Sequence, residues 1–144
     1  MNSDTGSDLL RDLVGADSSA LRRPLPGGSE SLRIRLAPDP TAPQRARRAI
    51  ATLGDRLSPR AVADLRTVVN ELVTICLSNP TEAPIEVQVE MSDGNVRGEV
   101  GRPEDPSAEI RGGGNALRII GALVDEWGVD PDRAIAWFCM STRE

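Results

Sequence analysis

Two runs of alternating apolar and polar residues, joined by Asp93-Gly94, constrain the fold of this chain most strongly. In residues 85–91 isoleucine, valine and methionine alternate with glutamate and glutamine, and residues 96–100 alternate in a similar way. Period-two alternation is typical of a strand with one buried face, and Asp-Gly is typical of a tight hairpin turn. The sequence therefore predicts a β-hairpin with one apolar face and one solvated face, so helices are needed on one side only.

A long helix before this hairpin is predicted to supply the matching apolar surface. Ser58 is its predicted N-cap and Pro59 its first residue, because a serine oxygen accepts a bond from an unpaired amide and proline has no amide that needs a partner there. Asn79-Pro80 is predicted to end it. The positions that face the core recur at helical spacing and are Val62, Leu65, Val69, Leu72, Val73 and Cys76.

Four further elements follow from the same kinds of pattern. The sequence predicts a strand over residues 31–36, a helix over 43–53, a helix over 115–127 that Gly128 stops, and a buried central strand over 134–140. The order is then strand, helix, helix, strand, strand, glycine loop, helix, strand. It predicts an α/β (α+β) fold, a two-layer sandwich with a mixed β-sheet and all helices packed on one face.

A length of 144 residues is enough for one domain, which is predicted over residues 31–144. Residues 1–30 are rich in Ser, Asp, Gly and Pro and are predicted to be a mobile N-terminal tail. They contain one apolar cluster, residues 9–14, which is too short to form a stable helix alone. This cluster is interpreted either as part of an unstructured leader or as a segment that docks on the domain or on a partner.

The composition excludes several kinds of catalytic site. The chain has no histidine, no lysine and no tyrosine. It therefore has no Ser-His-Asp triad, no imidazole metal site, no phosphate-binding lysine and no Schiff base. Catalysis must use carboxylates, backbone amides, arginine or a bound metal. Cys76 and Cys139 are interpreted as small buried hydrophobes rather than as a disulfide, zinc ligands or a nucleophile.

The charge and the hydropathy exclude two classes of partner. A net charge of −5 argues against binding to a nucleic-acid backbone, which needs clustered positive charge. The chain lacks an apolar run of about 18 residues, and its first residues lack the basic start and apolar stretch of a signal peptide. We therefore expect no membrane segment and a cytoplasmic location.

Two helical segments and the order of the elements carry a resemblance to a known family. The segments are Val69-Asn70-Glu71-Leu72-Val73-Thr74 on the second helix and Leu117-Arg118-Ile119-Ile120-Gly121-Ala122-Leu123-Val124-Asp125-Glu126-Trp127-Gly128-Val129 on the third. The chain resembles the GHKL, or histidine-kinase-like, ATPase domains over residues 31–142. It is most similar to the bacterial anti-sigma factor and serine protein kinase branch, especially to small stand-alone members found in actinobacteria. The resemblance implies a Bergerat-type fold with ATP and Mg²⁺ as cofactors.

The first motif of that family places a catalytic glutamate and a metal-binding asparagine one turn apart on the second helix. The resemblance assigns the catalytic position to Glu71, whereas the asparagine position is Ile75. Isoleucine has no oxygen to offer a hard cation. Asn79 is a possible substitute, shifted by about 6 Å along the helix axis. The alternative is that Glu71 is only a solvated or capped helix carboxylate.

The second motif supplies an aspartate that accepts a hydrogen bond from the adenine amino group. Here Arg102 stands where that aspartate belongs, and arginine has only donors. A change of register would instead bring Glu104 or Asp105 to this position. The resemblance thus implies a nucleotide site in which Arg102 replaces the residue that reads the base.

The third motif is a glycine-rich segment whose backbone amides hold the phosphates. The matching residues, which we assign to nucleotide binding by resemblance together with Asn79 and Arg102, are Gly112, Gly113, Gly114, Asn115 and Leu117. Ala116 replaces the second glycine of the motif. Arg111 or Arg118 is available to supply charge to a phosphate. The alternative interpretation of the glycine run is a flexible lid or linker.

Two functions are compatible with these residues. We favour a regulatory module that binds a protein partner, a sigma factor or an anti-sigma antagonist by resemblance, with ATP binding weakened or lost. The alternative is an active Mg-ATP-dependent serine protein kinase in which Glu71 assists phosphoryl transfer to a partner protein. The resemblance also implies a possible homodimer. A subunit unrelated to regulation is a third class, which no motif in the sequence favours.

Overall fold

The computed structural model describes residues 19–79, 81–105 and 114–142, and it contains six strands and three α-helices in these ranges. The strands are β1 (Ser19–Pro24), β2 (Glu30–Leu36), β3 (Ile85–Ser92), β4 (Asn95–Gly101), β5 (Glu126–Asp130) and β6 (Ile135–Ser141). The helices are α1 (Ala42–Ala51), α2 (Pro59–Leu77) and α3 (Gly114–Leu123). Short 3-10 turns lie at Pro26–Gly28 and Thr52–Asp55. None of the helices in these ranges is both long and apolar enough to cross a membrane.

The strands form one sheet in the order β1-β2-β3-β4-β6-β5, and every neighbouring pair is antiparallel. The prediction of a mixed sheet is therefore wrong. The reason lies in the connections, because the α1 and α2 segment leaves β2 after Leu36 and returns the chain to Ile85, its partner in β3. The crossover thus begins and ends at the same end of the sheet, and β3 has to run antiparallel to β2.

One face of the sheet is apolar and the other is open, as the alternation predicts. A row of paired residues across β2, β3, β4 and β6 consists of Leu32, Val89, Gly98 and Phe138, all buried. Helices α1 and α2 pack against this face, and α3 packs against α2. The architecture is α+β and is compatible with the predicted two-layer sandwich.

Helix α2 begins where the sequence predicts. The Ser58 hydroxyl oxygen accepts a hydrogen bond of 3.1 Å from the Ala61 amide, and Pro59 is the first helical residue. The helix ends at Leu77, two residues before Asn79. Its buried side chains include all six predicted core positions and are Ala61, Val62, Leu65, Val68, Val69, Leu72, Val73, Ile75 and Cys76.

The third helix is shorter than predicted, because it ends at Leu123 and Trp127 lies in a strand, β5. The Asp125 amide donates to the Cys139 carbonyl at 2.9 Å, and the Asp125 carboxylate accepts from the Ser141 amide at 2.8 Å. These bonds tie Asp125 to β6 instead of to the helix. Trp127 is then paired with Phe138 and packs against the core. Its burial, which the sequence analysis attributes to a helix, is achieved in a strand.

The predicted central strand, β6, is second from the edge, because β5 pairs with its outer side. At the opposite edge, β1 lies within residues 1–30, which were predicted to be a tail. Ser19–Pro24 pair with β2 along their whole length, and Ala20 is buried. The sheet therefore begins before the predicted boundary. The apolar cluster at residues 9–14 lies outside the described residues.

An ion-pair network fastens β1 to the rest of the domain. The Arg22 guanidinium donates to both oxygens of Glu30, with Nε at 2.5 Å and Nη2 at 2.8 Å, and its Nη1 lies 3.1 Å from Asp55. The Glu30 contact, which is the largest cause, and the Asp55 contact both raise the pKa of Arg22, although partial burial lowers it. Arg22 thus links β1 to β2 and to the turn that follows α1.

Replacing Arg22 with glutamine is expected to destabilise the fold by about 1–3 kcal/mol, because a bidentate bond to a mostly buried carboxylate is lost. Chemical denaturation of both proteins measures the change. Arg23→Gln is the matched control, since Arg23 is the next residue and is exposed. Equal stability of the two variants would contradict the role given to Arg22.

Gly98 gives a second prediction, because a methyl group there would enter the ring of the fully buried Phe138. We expect Gly98→Ala to destabilise the protein by about 1–3 kcal/mol through overpacking. Gly54→Ala is the control, since nothing lies within 4 Å of a Cβ at that position. Thermal unfolding of the two variants should show a lower Tm for Gly98→Ala alone.

Candidate functional site

The carboxylate predicted to be catalytic, Glu71, is half-buried in the middle of α2. Its Oε2 accepts a long hydrogen bond of 3.3 Å from the amide nitrogen of Asn70. The side-chain oxygen of Asn70 in turn accepts from the Arg47 guanidinium of α1. Glu71 therefore belongs to a polar cluster between the two helices, which gives it a structural role.

Ile75 lies one turn after Glu71 and is part of the hydrophobic core, with 6% of its surface exposed. Its neighbour Cys76 is also buried, and burial raises the pKa of its thiol to about 11, although the nearby Arg102 charge lowers it. Cys76 is therefore a neutral, small apolar residue at pH 7, as predicted. Cys139 is a free thiol too and is half-buried in β6.

The most unusual side chain of this region is Arg102, which follows β4 and is 2% exposed. Its Nη1 donates a hydrogen bond of 2.6 Å to the carbonyl oxygen of Asn79, just beyond the end of α2. Carbonyl groups at a helix C-terminus carry partial negative charge and lack intrahelical partners. Arg102 thus brings a positive charge close to the end of α2, where its donor shares the Asn79 carbonyl with the Thr81 amide.

The guanidinium of Arg102 is not fully satisfied. Its Nε has no hydrogen-bond partner within the part of the chain that the structure describes. The backbone of Arg102 is also fixed, because its amide donates to the Ala134 carbonyl at 2.9 Å. Ala134, the first residue of the strand predicted over 134–140, instead precedes β6, and its positive φ of 51° places it in the left-handed region.

The two carboxylates that a change of register would bring to the position of Arg102 lie on different sides of the sheet. Glu104 forms an ion pair of 2.5 Å with Arg35, an exposed residue on the open face of the sheet. The Asp105 carboxylate accepts a hydrogen bond of 2.8 Å from the Thr81 hydroxyl, close to the end of α2. Of the two, Asp105 is therefore the one on the same side as Asn79.

The glycine-rich segment is only partly described. Gly112, Gly113 and Arg111 lie outside the described residues, and Gly114 begins α3. Asn115 and Arg118 are exposed, whereas Leu117 is half-buried. Ala116 packs against the core. The helix that begins here packs against α2.

The structure thus brings some of the predicted site residues together and separates others. Asn79 and Arg102 are in direct contact. Glu71 and Asn79 are eight residues apart, which places them about 12 Å apart along the helical direction. In residues 19–79, 81–105 and 114–142, no three side chains of His, Cys, Asp or Glu are grouped so that they could hold a metal ion.

A concavity of about 590 Å³ lies on the other side of the sheet from α2. Charged residues line it in pairs, with Arg35 close to Glu104 and Arg133 3.8 Å from Glu99. Because each of these charges faces an opposite charge, the concavity has no clear preference for a charged ligand.

Comparisons of the sequence with protein-family models and with curated proteins find no match. The properties of the site therefore rest on its own geometry and chemistry.

The environment of Arg102 predicts how substitutions there will act. Arg102→Asp places a negative charge against the end of α2 and should destabilise the fold by about 3–5 kcal/mol. Arg102→Met removes a buried charge and keeps the packing, so we expect a change within about 1 kcal/mol. Urea denaturation of the two variants tests this. If methionine proved as damaging as aspartate, the bond to Asn79 would be more important than the charge.

Proposed function

We propose that this chain is a regulatory protein that acts by binding a protein partner, and that its nucleotide site has been lost or weakened. The proposal builds on the resemblance to anti-sigma factors and serine kinases of the histidine-kinase-like ATPase type. The partner is then a sigma factor or an anti-sigma antagonist. One observation carries the proposal, namely the buried guanidinium of Arg102 on the Asn79 carbonyl.

Arg102 supports the loss of adenine recognition in two ways. It stands where the resemblance places a carboxylate that accepts from the adenine amino group, and a guanidinium cannot accept. It is also buried in the protein interior, with Nη1 bonded to the Asn79 carbonyl. A base entering this position would have to displace a buried charge from its hydrogen bond.

Ile75 supports a separate loss of metal binding. The side chain one turn after Glu71 is an alkyl group in the core, whereas Mg²⁺ takes oxygen ligands in near-octahedral geometry. Asn79, the other candidate, lies two residues beyond the end of α2 and is held there by its backbone carbonyl, which accepts from Arg102. The residues at these positions therefore do not fit a magnesium nucleotide.

The alternative function is an active Mg-ATP-dependent serine kinase. The observation in its favour is that Glu71 remains half-buried on α2, and that α3, which begins at Gly114, packs against the same helix. A helix carboxylate and a helix N-terminus are two elements that phosphoryl transfer uses. Binding of the nucleotide separates the two functions.

Thermal unfolding with millimolar Mg-ATP is the test. A ligand at about 100 times its Kd stabilises by about 2.7 kcal/mol, which raises Tm by about 5–10 °C in a chain of this size. We expect no magnesium-dependent rise with ATP or ADP. Magnesium-free nucleotide and magnesium alone are the controls, since non-specific ion effects appear in both.

A clear magnesium-dependent rise would instead support the kinase. In that case Glu71→Gln should keep the rise and abolish phosphate transfer to a serine of the partner, because the amide retains the shape but is no base. Glu82→Gln is the matched control, an exposed glutamate in the loop before β3.

A further inference from the structure

The free edge of the sheet at β5 combines features of a binding surface. Strand β5 is last in the sheet order and pairs only with β6 among the described strands. An edge strand presents unpaired backbone N–H and C=O groups that can receive another strand. Val129 in this strand is one of the two large apolar side chains that are exposed in the described residues, at 41%.

The two faces of β5 differ in chemistry. Trp127 and Val129 lie opposite Phe138 and Ala136, on the side of the sheet that the helices cover. Glu126, Gly128 and Asp130 lie on the open face. The Trp137 indole covers Gly128, because a Cβ at Gly128 would lie 2.8 Å from the ring. The edge therefore has two apolar side chains on one face and two carboxylates beside an indole on the other.

The charge around this edge is negative. Asp125, Glu126, Asp130 and Asp132 lie in or next to β5, and Arg133 is the single basic residue of the segment 124–134. Arg133 is 4.0 Å from Asp130 and is also 3.8 Å from Glu99, so it is shared between two carboxylates. Glu126 is exposed. A docking strand thus meets a carboxylate at each end of β5.

These charges oppose a second copy of the chain as the occupant. In an antiparallel pair of β5 strands centred on Gly128, Glu126 of each copy would face Asp130 of the other. Like charges directly opposite one another destabilise a strand pair, whereas opposite charges contribute about 0.2–1 kcal/mol per pair. The edge therefore favours a partner strand with basic residues at both ends.

We propose that the β5 edge binds an extended segment of a partner protein by strand addition, and that this segment has two basic residues four positions apart with apolar residues between them. The two basic residues lie opposite Asp130 and Glu126. The apolar residues lie opposite Val129 and Trp127, and a small or polar residue lies opposite Gly128. Backbone hydrogen bonds provide affinity, and the alternating side chains provide specificity. This inference rests on the proposed protein-binding function and names the surface that binds the partner.

The test uses the full chain, labelled with ¹⁵N, and a peptide whose central residues are Arg-Val-Thr-Val-Arg. Titration with millimolar peptide should give saturable amide shifts that are largest at residues 126–130, and slower hydrogen exchange there. Replacing both arginines of the peptide with glutamate should remove the shifts. Glu126→Lys combined with Asp130→Asn should weaken binding of the basic peptide about threefold to tenfold, because two cross-strand charge pairs are lost.

Glu82→Lys is the control variant, because it makes the same substitution as Glu126→Lys at an exposed position outside the sheet. It should bind the basic peptide like the unmodified protein. Shifts confined to other strands, or equal binding of the basic and acidic peptides, would overturn the proposal. So would shifts at residues 126–130 that follow protein concentration without peptide, because a second copy would then occupy the edge. The proposed function is tested separately, because a magnesium-dependent rise of Tm with ATP would contradict it whatever the peptide does.

Discussion

The apolar face of the antiparallel sheet must be covered, and helix α2 is the element that covers its centre. The Phe138 ring can lie over β4 only because Gly98, its partner in that strand, has no side chain. Burial of this layer is the main favourable term in folding, and it sets the places of the remaining elements. Strand β1 is added at the edge by its pairing with β2, by the buried side chain of Ala20 and by the contact of Arg22 with Glu30.

The candidate site depends on the same packing. Because β4 ends beside the end of α2, the residue that follows the strand meets the carbonyl of Asn79, two residues beyond the helix. Arg102 occupies this position and is buried by the elements around it. A buried cation at a helix C-terminus is compatible with the helix dipole, whereas a carboxylate in the same place is not. The position therefore favours a structural residue over a base-reading one.

For the candidate site, the sequence predicts which elements the residues lie on, but it does not predict which residues they contact. The sequence predicts that Glu71 and Ile75 share a face of one helix, since they are four residues apart. It does not predict that Asn79 is engaged through its backbone carbonyl, or that Glu104 turns to Arg35 on the open face. Those contacts join residues that are distant in the chain, and their partners depend on how the loop after β4 folds.

The sequence by itself determined the hairpin, the start of α2 at Ser58 and the one-sided placement of the helices. These features depend on local rules, namely side-chain period, capping and turn chemistry, which act over a few residues. Only the tertiary structure decided the antiparallel order, the strand β1 and the change from helix to strand before Trp127. In that last case both elements place Trp127 against the core, and the backbone bonds of Asp125 to β6 decided between them.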